Sequence, residues 1–393
     1  MSITIVAEKC CGCRVCVSEC PINAIKFCED DYGFEYPRVD DVKCIECGKC
    51  ELVCPALHNP QNGEHLYCGA AYAKDNSIKY NGSSGGLFGL FARKIIEDGG
   101  VAYGAAFDEY LKLKTKPAKT VNDLIPLYKS KYLLCDTDYQ FTNIKSELDN
   151  GKKVLYCSSP CQIAALKLYL KKNYENLITV DFVCHGVGSQ SMFLNSVHYI
   201  EQKKKIKIKE YTFRYKKGNA TSHYFCVSYE KNGKINCRSS IYLFDPYYTA
   251  YQKRIACRKS CYDCRYAAEL RSSDLTIGDF HTINQYYPKI DRFAGVSMFV
   301  CNTVKGYDFF RTVSEKMEIR EMEWEELKRN NRFSNSEKML GEREEFLLMA
   351  KNEGFSRAAD KFLSPSLNWI RIIYYYSPKF IRKIALRIIG NKL

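Results

Sequence analysis

The first 54 residues contain two copies of one cysteine spacing, C-x2-C-x2-C-x3-C-P. In each copy, three closely spaced cysteines can bind one face of an iron–sulfur cubane, and the fourth, followed by a proline, reaches the other cluster. The ligand sets therefore cross between the copies. We predict one [4Fe-4S] cluster on Cys10, Cys13, Cys16 and Cys54, and a second on Cys44, Cys47, Cys50 and Cys20.

Structural zinc and disulfide bonds are the alternatives for these cysteines. Zinc sites usually pair two C-x2-C knuckles and have no use for a third cysteine or for the C-P ending. The chain begins MSITIVAEKC, without a basic n-region or an apolar h-region. Thiolate clusters in such a chain indicate a reducing cytoplasm. Cys11 and Cys28 lie outside both sets, and we interpret them as neighbours rather than ligands.

Composition and charge limit the class of protein. With 393 residues, 46% hydrophobic and 26% charged, the chain is a folded protein of about two to three domains. Its net charge is +14, but the basic segment Lys203–Lys217 alternates Lys with Ile in its first half. We interpret it as an edge strand whose charges face water, and we expect no nucleic-acid partner. No apolar run of eighteen residues suggests a membrane span.

The order of elements predicts a fold of the mixed α+β and α/β class. Strands are expected at LYCGAAYA, VAYGAAF, VLYC and LITVDF, with helices from Leu87 and Gln162 between them, and this alternation favours a partly parallel sheet. Tyrosine-rich strands follow at EYTFRY, HYFCVSYE and SSIYLFDPYY. We predict a bacterial-type two-cluster ferredoxin domain at 1–60, the two parts of a larger α/β module at 66–200 and 201–304, and a helical region at 305–393.

A turn of small residues separates the first strand of that module from its first helix. Ser83, Ser84, Gly85 and Gly86 would place bare backbone amides at the helix N-terminus, where an anionic group such as a flavin pyrophosphate is favoured. Small turn residues before a helix are also common for structural reasons alone. Both interpretations stay open at this point.

A second pool of cysteines follows strands or lies in a short motif. The segments SSPCQIAAL and DFVCHG each place a cysteine just after a strand, and a C-x3-C-x2-C segment adds three more. The pool consists of Cys161, Cys184, Cys257, Cys261 and Cys264. A C-x2-C pair with partners on separate turns is typical of cluster ligands, whereas the alternative is a set of buried structural thiols.

In this order, SSGG, S-P-C-Q-I-A-A-L, V-C-H-G and the cysteine segment ending in L-T-I-G-D-F resemble the beta subunit family of coenzyme F-420 hydrogenase/dehydrogenase. The resemblance implies non-covalent FAD in the α/β module and a third [4Fe-4S] cluster. It favours Cys161, Cys184, Cys261 and Cys264 as ligands, with Cys257 as a neighbour or a substitute. Contacts to flavin or substrate are implied for Lys131, Tyr132, Ser159, Pro160 and Gln162.

These parts predict an oxidoreductase. Cubanes carry single electrons and hydride donors deliver two, so a flavin between them converts one into the other. We expect electrons to pass between a reduced carrier, such as an F-420-like coenzyme, NAD(P)H or ferredoxin, and an acceptor that is a redox partner protein or a small molecule. The alternatives are an electron-transfer subunit that feeds a partner enzyme and a reductase that serves cell-envelope polysaccharide synthesis.

The C-terminal tail from Ser366 carries six Lys or Arg residues and no acidic residue. Apolar residues recur in it at near-helical spacing, and Pro378 should split it into two short helices. They are Trp369, Ile372, Ile373, Tyr376, Phe380, Ile384 and Ile388. The tail would either dock on the protein's own core or make peripheral contact with an anionic membrane on the cytoplasmic side.

Overall fold

The computed structural model describes residues 3–217, 220–290, 295–329, 333, 336, 338–365 and 369–377. Its strands, in chain order, are β1 Ile25–Glu29, β2 Glu35–Val39, β3 Tyr67–Ala73, β4 Val101–Phe107, β5 Leu113–Ala118, β6 Val154–Cys157, β7 Leu177–Phe182, β8 Lys207–Lys217, β9 Ala220–Lys231, β10 Lys234–Ile241, β11 Leu275–Asp279, β12 Ser297–Cys301 and β13 Met317–Glu321. Its α-helices are α1 Val15–Glu19, α2 Lys49–Leu52, α3 Asn76–Asn81, α4 Leu87–Glu97, α5 Gln140–Asp149, α6 Pro160–Leu170, α7 Gln190–Lys204, α8 Pro246–Gln252, α9 Ile283–Tyr286, α10 Val304–Arg311, α11 Trp324–Arg329, α12 Glu342–Glu353, α13 Phe355–Phe362 and α14 Trp369–Tyr376.

The N-terminal unit repeats one arrangement twice. The short helices α1 and α2 each follow a residue with left-handed backbone, Arg14 at φ 60° and Gly48 at φ 69°. Each helix contains the third cysteine of its copy. Between the copies, β1 and β2 pair antiparallel with Ile25 opposite Val39. The repeated spacing is therefore a repeated local structure, as the sequence indicated.

The larger module is built on a mixed sheet in the order β13-β3-β12-β11-β7-β6-β4-β5. Strands β4, β6, β7 and β11 are parallel to one another, and β12 runs antiparallel between β11 and β3. Strand β3 therefore has the same direction as β11. The alternation of strands and helices predicted this partly parallel α/β core, and the prediction is confirmed.

Helices cover both faces of this sheet. On one face, α4 buries Leu87, Leu90, Phe91 and Ile95, as its spacing predicted, against Leu155 and other strand residues. On the other face, α5 and α6 pack against β6. Successive residues of β6 point to opposite faces, so a strand covered on both sides must be apolar throughout, as VLYC is.

A second, three-stranded antiparallel sheet has the order β10-β9-β8. The predicted edge strand exists, but it begins at Lys207, because α7 continues to Lys204. Lys209 is exposed, whereas Arg214 and Lys216 are buried. The expectation that the charges of this segment face water is therefore wrong for these last two side chains.

The predicted strand SSIYLFDPYY is also only partly correct. Strand β10 ends at Ile241, and a 3-10 turn and the helix α8 follow. The carboxylate of Asp245 accepts a hydrogen bond from the amide of Tyr248, and Pro246 occupies the first helical position. A capping aspartate followed by proline is a helix start, and here it overrides the strand preference of the tyrosines.

The chain after Val304 is mainly helical, with β13 added to the sheet edge beside β3. Helix α14 ends at Tyr376, just before Pro378, and its Ile372 and Tyr375 pack on the core below the second sheet. The remaining apolar positions of the predicted tail, Phe380, Ile384 and Ile388, lie outside the described residues. Membrane contact by the tail stays a prediction. Within the described ranges, no helix combines the length and apolar character that crossing a membrane requires.

Candidate iron–sulfur and anion-binding sites

The structure brings the eight N-terminal cysteines into two groups. Cys20, Cys44, Cys47 and Cys50 line one cavity. Cys10, Cys16 and Cys54 lie together in the small core of the N-terminal unit, and Cys13 is buried beside the larger module. Each fourth cysteine thus lies with the first three of the other copy, which is the arrangement that crossed ligand sets require. Among the described residues, no three His, Cys, Asp or Glu side chains converge as ligands of a single metal ion.

The loop that carries Cys10 and Cys13 points a backbone N–H group at a cysteine sulfur. Gly12 has φ +75°, and its N–H donates to Cys10 Sγ over 3.4 Å. Burial is the largest cause that raises the pKa of Cys16 and of Cys54 above the ordinary thiol value. Thiols in such surroundings become thiolates only when a positive charge such as iron replaces their protons.

The second pool gathers at the carboxyl ends of parallel strands. Cys161 follows β6 and Cys184 follows β7, so both lie at one edge of the sheet. Burial, and next the charge of Cys161, raises the pKa of Cys184 to about 12. Cys264 also raises the pKa of Cys184. Burial is the largest cause that raises the pKa of Cys261, followed by the charges of Cys257, Cys184 and Cys264. Cys184 therefore lies near the other three cysteines that the resemblance favoured, and Cys257 also lies near Cys261.

Gly186 explains how the two turns of the pool meet. Its φ is +103°, and a Cβ there would lie 2.9 Å from Cys257 Sγ. A side chain would therefore separate the turn after β7 from the C-x3-C-x2-C segment. Cys257 itself is 1% exposed, and its Sγ lies 3.8 Å from the carbonyl oxygen of His185. Its thiol is thus turned to the backbone of the turn.

Cys11, which the cysteine spacing left outside both ligand sets, lies between the first N-terminal set and the second cysteine pool. Its thiol lies close enough to Cys13 and to Cys161 for both to shift its pKa, and Cys13 is the largest cause that raises this pKa well above the ordinary value. Cys13 belongs to the first N-terminal set and Cys161 to the second pool. No spacing rule predicts such a contact, because its partners lie on separate units of the chain.

Backbone carbonyl groups of the N-terminal unit are bound by the larger module. Cys10 O accepts from Arg258 Nε at 2.6 Å and from Ser260 Oγ at 3.0 Å. Cys13 O accepts from Thr137 Oγ1 at 2.9 Å. Further bonds run from Arg265 and Tyr266 to Pro55 O. The loops that carry cysteines are therefore fixed against the module by direct hydrogen bonds.

The turn Ser83–Gly86 is held largely by the protein itself. Ser83 Oγ accepts from the backbone N–H of Ser130, Ser84 Oγ donates to Val296 O, and the Gly85 N–H donates to Ser297 Oγ. A Cβ on Gly85 would lie 2.5 Å from Ala71 O. The fold alone thus requires this glycine, which supports the structural interpretation of the turn.

The carbonyl groups of the same turn face a group of buried cations. Arg214, 6% exposed, donates to Ser83 O and to both carboxylate oxygens of Asp279. Lys216, 2% exposed, donates to Ser84 O over 2.9 Å and to Lys79 O. These two charges do not face water because the pairing of β8 with β9 shifts register and Arg214 has φ 52°. A bulge of this kind turns the residues after it to the other face.

Two half-buried lysines, Lys129 and Lys131, lie beside these buried cations. We call the four residues Lys129, Lys131, Arg214 and Lys216 the cation cluster. Burial, followed by the charges of Lys129 and Arg214, lowers the pKa of Lys216 to about 7. Burial lowers the pKa of Lys131 to about 7 and, with Arg214, that of Lys129 to about 8. The ion pair between Arg214 and Asp279 brings one carboxylate to these four cations. An excess of poorly hydrated positive charge favours an anionic ligand.

Tyr132 lies between the cation cluster and the second cysteine pool. Its hydroxyl accepts from Arg214 Nη1 at 3.3 Å, and its ring stacks on Tyr251 with centroids 4.5 Å apart. Cys257 and Cys184 are close enough to Tyr251 to raise its pKa, although burial is the larger cause. An aromatic pair therefore connects the two sites.

The other predicted flavin contacts have different surroundings. Lys131 Nζ donates to Tyr128 O at 2.6 Å and to Pro126 O at 2.8 Å. Gln162 is 2% exposed and donates to Cys135 O, while Ser159 Oγ lies 3.3 Å from Cys161 Sγ. Ser159, Pro160 and Gln162 thus form and brace the turn that carries Cys161.

Comparison with protein families finds two separate matches along the chain. Residues 9–57 match the 4Fe-4S dicluster domain, which makes the chain an iron–sulfur electron-transfer protein of the two-cluster class. Residues 151–326 match the family that describes the C terminus of the coenzyme F-420 hydrogenase/dehydrogenase beta subunit. Residues 151–326 of the chain therefore belong to this beta subunit family, and the resemblance drawn from the motifs is confirmed.

Individual relatives cover the N-terminal unit or give a distant likeness. An uncharacterized protein in the rpl9-rpl11 intergenic region of Porphyra purpurea is 40% identical over 57 residues, 14% of this chain and 76% of that protein. A ferredoxin 7Fe of Hydrogenibacillus schlegelii is 40% identical over 53 residues, 13% of this chain and 62% of the ferredoxin, less than two thirds of its length. A chain of the F-420-reducing [NiFe] hydrogenase complex from Methanosarcina barkeri has a TM-score of 0.44 and 15% identity, covering 77% of this chain and 93% of that chain.

The arrangement of the second cysteine pool predicts which of its members bind the third cluster. Replacing Cys184 by Ser should remove about four irons per chain, whereas Cys257→Ser should keep full iron, because Cys257 faces a backbone carbonyl. Iron and sulfide analysis of anaerobically prepared protein measures both. Cys237→Ser, at an exposed thiol, is the control. Equal iron loss from the Cys184 and Cys257 variants would contradict the assignment.

Proposed function

We propose that the chain is an iron–sulfur flavoprotein oxidoreductase that passes electrons between a reduced carrier and an acceptor through FAD and three [4Fe-4S] clusters. The dicluster domain and the family match support the general class. The observation that carries the finer proposal is the position of the Cys11 thiol, which is close enough to both Cys13 and Cys161 for them to shift its pKa. This position supports a first cluster that lies beside the second cysteine pool, so that electrons need not cross solvent between them.

The proposed third cluster rests on the grouping of Cys161, Cys184, Cys261 and Cys264. Their thiols are buried together, and each would resist losing its proton without a metal. Turns at the ends of two parallel strands hold Cys161 and Cys184, so their backbone positions are set by the sheet. The remaining pair comes from one short segment, as the C-x2-C spacing predicted.

The proposed flavin site is the cation cluster beside the turn Ser83–Gly86. Bound FAD would supply the conversion between a two-electron hydride and single electrons. The chain contributes positive charge for the pyrophosphate, chiefly from Arg214 and Lys216, and it excludes water through the packed rings of Tyr132 and Tyr251. The site lies at the carboxyl ends of the strands, where open α/β sheets bind ligands.

A partner protein could exchange electrons at the second N-terminal group. Its ligand Cys47 is exposed, and Val42, Ile45 and Leu52 nearby in the chain are 98%, 63% and 64% exposed. Exposed apolar side chains beside a redox centre favour contact with another protein. This observation supports the alternative function, an electron-transfer subunit that feeds a partner enzyme.

Anaerobic purification with iron, sulfide and flavin analysis tests the proposal. We expect about twelve irons and one FAD per chain. Stopped-flow mixing with NADH, NADPH, reduced ferredoxin and reduced coenzyme F-420 should identify a donor that bleaches the flavin. About eight irons without flavin would overturn the finer proposal and leave the dicluster class intact, whereas reduction only after a partner protein is added would favour the subunit.

Replacing Lys216 by Met should weaken FAD binding about tenfold or more, because it removes a buried charge from the proposed pyrophosphate site. Lys209→Met is the matched control, since Lys209 lies on the same strand but is exposed. Fluorescence titration of FAD into flavin-depleted protein measures both affinities. An equal loss in the two variants, or none in either, would contradict the assignment.

The lowered lysine pKa values predict how FAD binding depends on pH. Near pH 7 and above, Lys131 and Lys216 lose protons in the free protein, and a bound anion pulls those protons back. FAD affinity should therefore fall as pH rises from about 6.5 to 8.5, by up to about tenfold per pH unit for each lysine that takes up a proton on binding. Calorimetry in buffers of different ionisation enthalpy measures the uptake, and affinity that rises with pH would refute the prediction.

A further inference from the structure

Arg258 is fully buried at the junction between the N-terminal unit and the larger module. It is 0% exposed, lies between Cys257 and Ser260 in the chain, and donates from Nε to Cys10 O at 2.6 Å. Its guanidinium carbon lies 4.0 Å from the centre of the Tyr36 ring. A Cβ built on Gly12 would lie 3.4 Å from Arg258 Nη1. The charged group thus covers the loop from Cys10 to Gly12.

The two terminal nitrogens of Arg258 have no hydrogen-bond partner among the described residues. The nearby acid Glu8 pairs instead with Lys259 at 2.5 Å. Other buried arginines are better satisfied. Arg214 binds Asp279 through both terminal nitrogens, and Arg343 donates to Cys257 O from two of its nitrogens. Arg258 is thus a buried cation whose terminal nitrogens have no acceptor in the part of the chain that the structure describes.

A buried charge is strongly disfavoured unless an opposite charge or hydrogen bonds compensate it. The group expected beside Arg258 is a cubane on Cys10, Cys13, Cys16 and Cys54, and four thiolates give such a cluster a net negative charge. We propose that Arg258 is the counter-charge of this first cluster and sets its reduction potential. The inference rests on that ligand set, which belongs to the proposed function.

The direction of the effect follows from charge. One-electron reduction adds one negative charge to the cluster and forms or breaks no bond to a proton. A fixed cation therefore stabilises the reduced form more than the oxidised form, and it raises the reduction potential. Because Arg258 is buried, added salt screens this effect little.

The experiment compares Arg258→Met, Arg258→Gln and Arg258→Lys in the full-length protein by iron analysis and by redox titration followed by electron paramagnetic resonance. We expect Arg258→Met and Arg258→Gln to shift one N-terminal cluster to lower potential and to leave the other unchanged, also in high salt. Arg258→Lys should restore most of the potential. Arg265→Met is the control, because Arg265 is an exposed arginine that donates to Pro55 O across the same junction.

Each outcome decides between explanations. Unchanged potentials in Arg258→Met with full iron would overturn the proposal, and so would an equal shift in Arg265→Met, which would indicate a loosened junction. If the Arg258→Met variant binds no iron, the Arg258→Gln variant provides the test. A wild-type reduction potential in Arg258→Gln would also overturn the proposal. Wild-type protein without N-terminal cubanes would refute the assigned ligand set instead.

Discussion

The junction between the cysteine loops and the larger module is the contact on which the rest of the arrangement depends. A loop that turns its amides toward sulfur, as Gly12 does toward Cys10, turns carbonyl groups outward. Buried carbonyl groups need donors, and Arg258, Ser260 and Thr137 supply them. The N-terminal unit is therefore held at a fixed position on the module, and Cys11 can contact Cys161.

The parallel part of the main sheet gives both sites their location. Strands β6, β7 and β11 end at one edge, and the residues that follow them carry Cys161, Cys184 and, at the end of β11, Asp279. Asp279 pairs with Arg214 from the second sheet. Thus one sheet edge holds the cysteine pool and the cation cluster next to each other, with Tyr132 and Tyr251 between them.

Some elements of this fold are decided by local sequence pattern, and others are not. The periodicity of α4 and the strand VLYC were clear because local pattern decides them. The second half of SSIYLFDPYY was wrongly predicted as a strand, because the helix cap at Asp245 outweighs the strand preference of the tyrosines. The turn Ser83–Gly86 was predicted to offer its backbone amides to an anionic group. In the structure, Gly85 packs against β3, and Arg214 and Lys216 bind carbonyl groups of the turn.

The sequence by itself determined the two-cluster class, the family and the cysteines of each motif, because cluster ligands must stand at short, fixed spacings and those spacings are local. Only the tertiary structure decided the surroundings of Cys11, Arg214, Lys216 and Arg258. Their partners are distant in the chain, and a bulge in β8 reversed the faces that alternation predicted. The burial of a charge depends on the contacts of the whole fold, which no local pattern records.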